Sequence, residues 1–332
     1  VGLLIAGVDE AGYGPLLGPL LVGLSVFRVD SWAEGEPAPD LWSLLSRSVA
    51  RTVKTASGRL VLADSKELKL PNAKPGASGG RHPLTHLERG VLAVLASLGE
   101  TPADDDALLE TLGAAWPVAR WYEGPAIPLP QAWTAGQVAV AANPLREELD
   151  SAGVSVVHAA ARLIGEVEFN GLVRAGGGKG ATTIEGVRGH FQTFLGLAWE
   201  HPADGLRFVC DRLGGRVQYA DAVAHFAGVD ERAVRVVEET QERSRYFVDA
   251  AGRSVGVVFQ MESEKAHLPI ALASMIAKYV RETAMLRFNR HWASRVPGLR
   301  ATAGYWQDAK RWLNDAQHAI SAAERRDLVR IA

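Results

Sequence analysis

Cysteine is almost absent from the 332-residue chain, and Cys210 stands alone. That excludes an intrachain disulfide and fits a reducing, cytoplasmic compartment. Long apolar runs are missing as well. No segment approaches the roughly 18 uninterrupted apolar residues of a membrane span. The N-terminal apolar run is short and has no basic leader, so no signal peptide is expected there. Charge of either sign is not in excess: the formal net charge is -2 and the pI is about 6.6. The chain as a whole therefore has no electrostatic pull toward nucleic acid or membranes, and a nucleic-acid partner would need a local basic surface. Internal repeats and long low-complexity tracts are also lacking. What is present is ordinary globular material, 47% hydrophobic and 22% charged. It is enough for a sizeable core, in two average domains or one domain with large insertions.

The most informative stretch lies near the start. An apolar run, residues 3–8, ends in two adjacent carboxylates, Asp9 and Glu10. Gly12, Tyr13, Gly14 and Pro15 follow, and a second apolar run covers residues 16–27. This pattern predicts strand, tight loop, strand, with the acids at the rim of a sheet. Side chains alternate along a strand, so Asp9 and Glu10 would point to opposite faces if both are extended. The glycines let the backbone approach a ligand and leave bare N–H groups that suit phosphate oxygens. Acids beside such a loop suggest a metal working on a phosphate; a charged turn after a strand is the plainer alternative.

Further along, residues 41–53 read as a short helix. Asp64-Ser65-Lys66 follows an apolar run and predicts a helix capped by Asp64 or Ser65, with Lys66 free to meet a phosphate. Residues 71–81 form a break rich in Pro, Gly and Ser. Helical spacing covers 86–98, and Asp104-Asp105-Asp106 reads as the acidic first turn of another helix rather than a metal site. Residues 116–133, with Trp116, Trp121, Tyr122 and Trp133, are irregular and suit packing or base stacking. Strands are predicted at 154–157, 206–211, 233–239 and 254–261, and a strand or short helix at 159–169. The glycine-rich stretch 170–183 lacks the Gly-Lys-Ser/Thr triplet of a P-loop and reads as a loop carrying a phosphate-reaching Lys179. Helices are predicted at 184–199, 220–229, 269–288, 307–314 and 322–331. Small residues, Ala271, Ala273, Ser274 and Ala277, suit the third of these helices for close packing on a sheet.

Four carboxylates thus fall at or just beyond strand ends: Asp9, Glu10, Asp211 and Glu264, with Glu262 a rival for the last place. Carboxylates are the hard ligands that Mg²⁺ and Mn²⁺ take. Two such ions about 4 Å apart serve phosphodiester cleavage.

In these features the chain resembles the type 2 ribonucleases H, the ribonuclease HII and HIII family. Residues 7–15, Gly-Val-Asp-Glu-Ala-Gly-Tyr-Gly-Pro, look like that family's opening motif. Asp64-Ser65-Lys66 matches its Asp-Ser-Lys motif, and Asp211 stands where its third acid ends a strand. Glu264 with Ala273-Ser274-Met275-Ile276-Ala277-Lys278 matches its fourth acid and the helix after it. Gly304-Tyr305 resembles its late Gly-Tyr pair. The resemblance implies an α/β, ribonuclease H-like fold: a mixed five-stranded sheet flanked by helices, with an inserted region and C-terminal helices. It implies one domain over 1–332, an insertion at 72–155 and a C-terminal helical part at 280–332.

Carried over by residue, Asp9, Glu10, Asp211 and Glu264 would be catalytic and hold two Mg²⁺ or Mn²⁺ ions. Gly12, Tyr13 and Gly14 would read the ribose 2′-OH. Ser65, Lys66, Lys179 and Tyr305 would complete the substrate contacts. The implied activity is endonucleolytic hydrolysis of the RNA strand of RNA–DNA hybrids, or of ribonucleotide-containing DNA, leaving 3′-hydroxyl and 5′-phosphate ends. Tyr13 stands where ribonuclease HII usually has Arg and HIII usually has Thr, and Glu264 replaces the more usual Asp. The alternative is a non-catalytic or altered-substrate nucleic-acid-binding relative on the same fold.

Overall fold

A computed structural model describes residues 1–71, 81–214 and 216–331. The break expected at 71–81 lies, from 72 to 80, outside the described residues, as does Gly215. The chain opens with β1 (Leu3–Ala11) and β2 (Leu20–Val29), antiparallel as their apolar runs and the intervening glycine loop predict. Next come α1 (Leu41–Leu44), β3 (Val49–Ala50), β4 (Leu60–Val61) and α2 (Ser65–Leu68). The helix expected at 41–53 is only α1, because the chain turns into β3, which pairs in parallel with β4. Asp64 caps α2, accepting from the Lys66 N–H at 2.9 Å.

The following region holds α3 (Thr85–Ser97), α4 (Asp105–Thr111) and α5 (Ala135–Ala152). Asp104 caps α4 through the Ala107 N–H, as the acidic run predicts. Then β5 (Val154–Ile164) runs as one strand through the stretch where two elements were expected, and α6 (Glu166–Leu172) follows. Residues 173–177 form a short wide turn broken by a kink at Gly176 (φ +106°) and Gly178 (φ +62°), and α7 (Gly178–Ala198) begins six residues before the expected 184. The stretch read as a glycine loop is thus a kink with helical turns on either side, and Lys179 sits in the first turn of α7.

The second half contains β6 (Gly205–Asp211), α8 (Ala220–Ala227), β7 (Arg235–Glu239), β8 (Arg243–Ala250), β9 (Arg253–Gln260) and α9 (Ser263–Ala266). It ends with α10 (Leu268–Arg295), α11 (Trp306–Asp315) and α12 (Ala322–Leu328). Among the described residues the main sheet is mixed and has seven strands, in the order β5-β2-β1-β6-β9-β8-β7. It exceeds the expected five because β8 and β7 extend it beyond β9. β1, β6 and β9 are mutually parallel, so their carboxyl ends lie at one edge.

Apolar side chains alternate between two cores. One face, with Leu3, Ile5, Leu21 and Val209, packs against α10 and, behind it, α3, α4 and α5. The other face, with Leu4, Val8, Phe208 and Val257, packs against α7 and α8. Alternation on a sheet covered on both sides is the physical basis of this layered arrangement. A third cluster joins Leu16 and Leu17 to the end of α10, α11 and α12. No helix among the described residues is long and apolar enough to cross a membrane.

Candidate metal and nucleic-acid site

Ligands of open α/β sheets gather at the carboxyl ends of the strands, and here those ends carry acids. Val8 pairs with Cys210, so Asp9 and Asp211 come one step later on adjacent strands. Asp211 in turn pairs with Gln260, the last residue of β9, and Glu264 follows within α9. α10 lies unusually close over these strands. A Cβ on Gly7 would stand 2.3 Å from the Ile270 nitrogen, and one on Gly23 would stand 2.2 Å from the Ala273 oxygen. Only glycine allows that approach. It brings Ser274 of α10 into hydrogen-bonding range of Asp9 and places its Oγ 3.0 Å from Ser65 Oγ.

The acids perturb one another. Burial, then the neighbouring Glu10 and Asp211, holds the Asp9 carboxyl well above the ordinary range. Hydrogen bonds from Ser274 and from the Glu10 N–H, the latter at 2.8 Å, pull the other way. Glu10 is pushed up to about 7, first by burial, then by Asp211 and Glu264, against the pull of Lys66. Glu264 is raised by burial, then by Asp211 and Asp64, with Lys66 opposing. Burial alone would lower Lys66, but Asp64, Glu264, Asp9 and Asp211 outweigh it and raise its pKa. Asp211 accepts from Ser263, at 2.8 Å from Oγ and 3.3 Å from N.

Asp9, Glu10, Asp211, Glu264 and Lys66 are close enough to perturb one another, although among the described residues no three of the four acids bring ligand oxygens within 4.8 Å of each other. Glu262 is left out: it is exposed, adopts φ +50°, and pairs with Lys265 at 2.9 Å. Glu264 Oε2 is buried without a hydrogen-bond partner among the described residues. An all-carboxylate set with an unsatisfied buried oxygen fits a hard divalent ion such as Mg²⁺ or Mn²⁺.

The glycine loop lies next to this cluster. Gly12 has φ +90°, and a Cβ there would meet Arg281 Nε at 2.5 Å. Arg330, near the far end of the chain, donates to the carbonyls of Gly12 (2.5 Å) and Tyr13 (2.9 Å). Its guanidinium stacks 3.8 Å over Phe169, and burial lowers its pKa to about 10. Glu166 supplies the buried counter-charge and accepts from the Gly18 N–H (3.2 Å) and Tyr122 OH (2.8 Å). Half-buried Tyr13 packs against the cluster of Leu20, Ile164 and Phe169. Gly14 is exposed, with open space where a side chain would be.

Lys179 is half-buried; burial and then Arg330 lower its pKa, which sets it on the same side. Gly304, at φ +84°, accepts from the Leu16 N–H at 2.8 Å, and this contact draws Tyr305 to the loop. The Tyr305 ring is about half exposed and lies 5.5 Å from the Arg281 guanidinium.

Arg281, Arg330 and Glu166 were missed by sequence reasoning. Each is an isolated charge without a local motif, and 318 residues separate Arg330 from Gly12.

A second acidic group lies at the start of α4. Asp104, Asp105 and Asp106 offer ligand atoms within 4.8 Å of one another. Both oxygens of Asp105, and one each of Asp104 and Asp106, are already engaged. Asp104 caps α4, and Arg287 donates to both oxygens of buried Asp105 at 2.6 Å and to Asp106 at 2.5 Å. Trp116 Nε1 also donates to Asp106, and Trp116 and Tyr122 stack as packing groups. A buried guanidinium occupies the place a cation would take, so this cluster reads as a structural salt bridge.

No family model matches the chain, and no curated protein matches it. Among solved structures it is similar to ribonuclease HII from Archaeoglobus fulgidus, seen in a complex with PCNA. The identity is 13% and the TM-score 0.41, over 99% of this chain and 94% of that one. It is similar to ribonuclease H2 from Pyrococcus horikoshii OT3 at 15% identity and a TM-score of 0.39, over 99% and 92%. It is also similar to Bst-RNase HIII in complex with Mn²⁺ at 15% identity and a TM-score of 0.41, over 99% and 66%. Likenesses this distant carry no weight for the site, which stands on its own residues.

Proposed function

We propose that the chain is a divalent-metal-dependent endonuclease of the type 2 ribonuclease H kind, hydrolysing the RNA strand of RNA–DNA hybrids or ribonucleotide-containing DNA. The observation that carries this reading is the four-carboxylate cluster around Lys66. Three of its acids have raised pKa values and one buried oxygen is unpaired. Such a cluster is costly in a protein that does nothing with it, because buried like charges repel without a cation. Strongly perturbed acids in one place mark a functional candidate.

On this reading Asp9, Glu10, Asp211 and Glu264 hold Mg²⁺ or Mn²⁺. When bound, a pair of such ions supplies Lewis acidity and a more acidic water. Lys66 holds the scissile phosphate, and Ser65 steadies that end of α2 through Ser274. Backbone groups of Gly12, Tyr13 and Gly14 meet the ribose 2′-OH, the group that distinguishes RNA from DNA. Lys179 reaches a flanking phosphate, and the exposed Tyr305 ring packs on a sugar. The products carry 3′-hydroxyl and 5′-phosphate ends. Within one domain, 1–332, residues 72–155 and 280–332 are additions to this catalytic core. Its setting is cytoplasmic.

A second reading, an altered-substrate or non-catalytic relative, is favoured by one observation. Tyr13 packs against the cluster of Leu20, Ile164 and Phe169 and brings no positive charge to the loop. Cleavage of three labelled duplexes with Mg²⁺ or Mn²⁺ decides between them: an RNA–DNA hybrid, a DNA duplex with one ribonucleotide, and all-DNA. Cutting confined to RNA-containing duplexes supports the proposal. Binding without cutting supports the second reading.

A further inference from the structure

We infer that the cleft between the 55–60 loop and the start of α5 is a second anion site, built for a phosphate group and separate from the carboxylate cluster. The cleft has a volume of about 680 Å³ and is lined by Arg47, Arg59, Arg89, Trp133 and Gln137, with exposed Val140 at its rim. None of its lining residues is acidic. Among the described residues, Arg47 alone of the three arginines has a carboxylate partner, Glu148 at 3.3 Å.

The other two are held by backbone carbonyls. Arg59 donates to Ala56 O (3.0 Å), Ser46 O (2.7 Å) and Thr55 O. Arg89 donates to Arg59 O (3.1 Å) and Gly58 O (2.8 Å) and lies 5.5 Å from the Trp133 ring centre. Carbonyls fix these guanidiniums without cancelling their charge. A guanidinium has five N–H groups, so several on Arg59 and Arg89 have no protein acceptor among the described residues.

Two pre-positioned guanidiniums with spare donors and no counter-ion are the chemistry that recognises phosphate. Holding them in advance lowers the entropy lost on binding. The cleft adjoins β4, whose other end leads through Asp64 to Lys66. The phosphate could come from a small phosphorylated molecule or from a nucleic-acid strand. The inference holds whether or not the carboxylate cluster is catalytic.

Calorimetric titration of the full chain in EDTA at low salt tests it, with inorganic phosphate, adenosine 5′-monophosphate and a short DNA oligonucleotide as separate probes. EDTA keeps divalent ions from the acids, so that cluster repels all three. Arg89→Gln keeps a donor for Gly58 O but removes the charge. Val140→Glu places a carboxylate at the exposed rim, where no packing is disturbed. Both are expected to weaken binding by about tenfold, and added salt to weaken it further. Binding of phosphate and the nucleotide identifies a small-ligand site. Binding of the oligonucleotide alone, lost in both variants, identifies a strand contact. Failure of all three probes to bind, or equal binding by both variants, overturns the inference.

Discussion

Gly23 stands opposite Asp9 in the β1–β2 ladder, and a Cβ at Gly23 would lie 2.2 Å from the Ala273 carbonyl oxygen. The residue that lets α10 settle on the sheet is thus the cross-strand partner of a candidate metal ligand. Gly23→Ala must push the helix away or distort the strand. The expected cost is about 1–3 kcal/mol in urea unfolding. Metal affinity should weaken as well, because Ser274 moves from Asp9. A variant as stable as the parent would show that the helix seat is not tight.

Arg330 ties the last residues of the chain to the glycine loop. Arg330→Met keeps the bulk over Phe169 but leaves the Gly12 and Tyr13 carbonyls, and Glu166, without their cation. A loss of about 3 kcal/mol or more is expected by denaturant unfolding. A loss of substrate affinity should accompany it as the loop loosens. Unchanged stability would mean that the arginine is not a clamp.

How far the site could be read in the sequence follows from what is local. β1, the Asp64 cap, α4 and most of α10 announce themselves by apolar periodicity and capping residues, which act within a few positions. β8 was missed because Arg243, Arg245 and Asp249 dilute its composition. Its inward residues, Ser244, Tyr246, Val248 and Ala250, alternate all the same. α5 carries Pro144 in its interior, a residue that ordinarily breaks a helix. The glycines at 176–180 suggested a loop, and the backbone there is a kink between two helices, with Gly176 and Gly178 at positive φ and open space around them. Asp9, Glu10, Asp211 and Glu264 could be named from the sequence. Their convergence, and the exclusion of Glu262, depend on strand order that no local pattern encodes.

Asp105 and the carboxylate cluster should behave as opposites. Asp105→Asn leaves the buried Arg287 charge poorly paired and should cost about 3–5 kcal/mol. It should not alter Mn²⁺ binding measured by calorimetry on the folded variant. Loss of the ion at normal stability would move the metal site to α4.

His190 gives a pH signature on the helical side of the sheet. It is buried, donates from Nε2 to the Val22 carbonyl at 2.9 Å, and burial lowers its pKa to about 4. The unfolded chain takes up its proton near pH 6.5, so between about 6.5 and 4 the unfolded state binds more protons. The contribution of neutral His190 is whole above about 6.5 and is lost as the pH falls toward 4. His190→Gln keeps an N–H donor and does not titrate. The stability difference between parent and variant should shift by on the order of 2–3 kcal/mol in the variant's favour across that window. A difference independent of pH would refute the buried neutral state.

The central claim is met most directly by one comparison: hybrid cleavage by the parent protein and by Asp9→Asn, each with and without Mn²⁺. The account predicts metal-dependent cutting of the RNA strand by the parent. It predicts at least about a hundredfold loss in the variant, with hybrid binding retained. Full activity of Asp9→Asn, or cutting by the parent without any divalent ion, would contradict it.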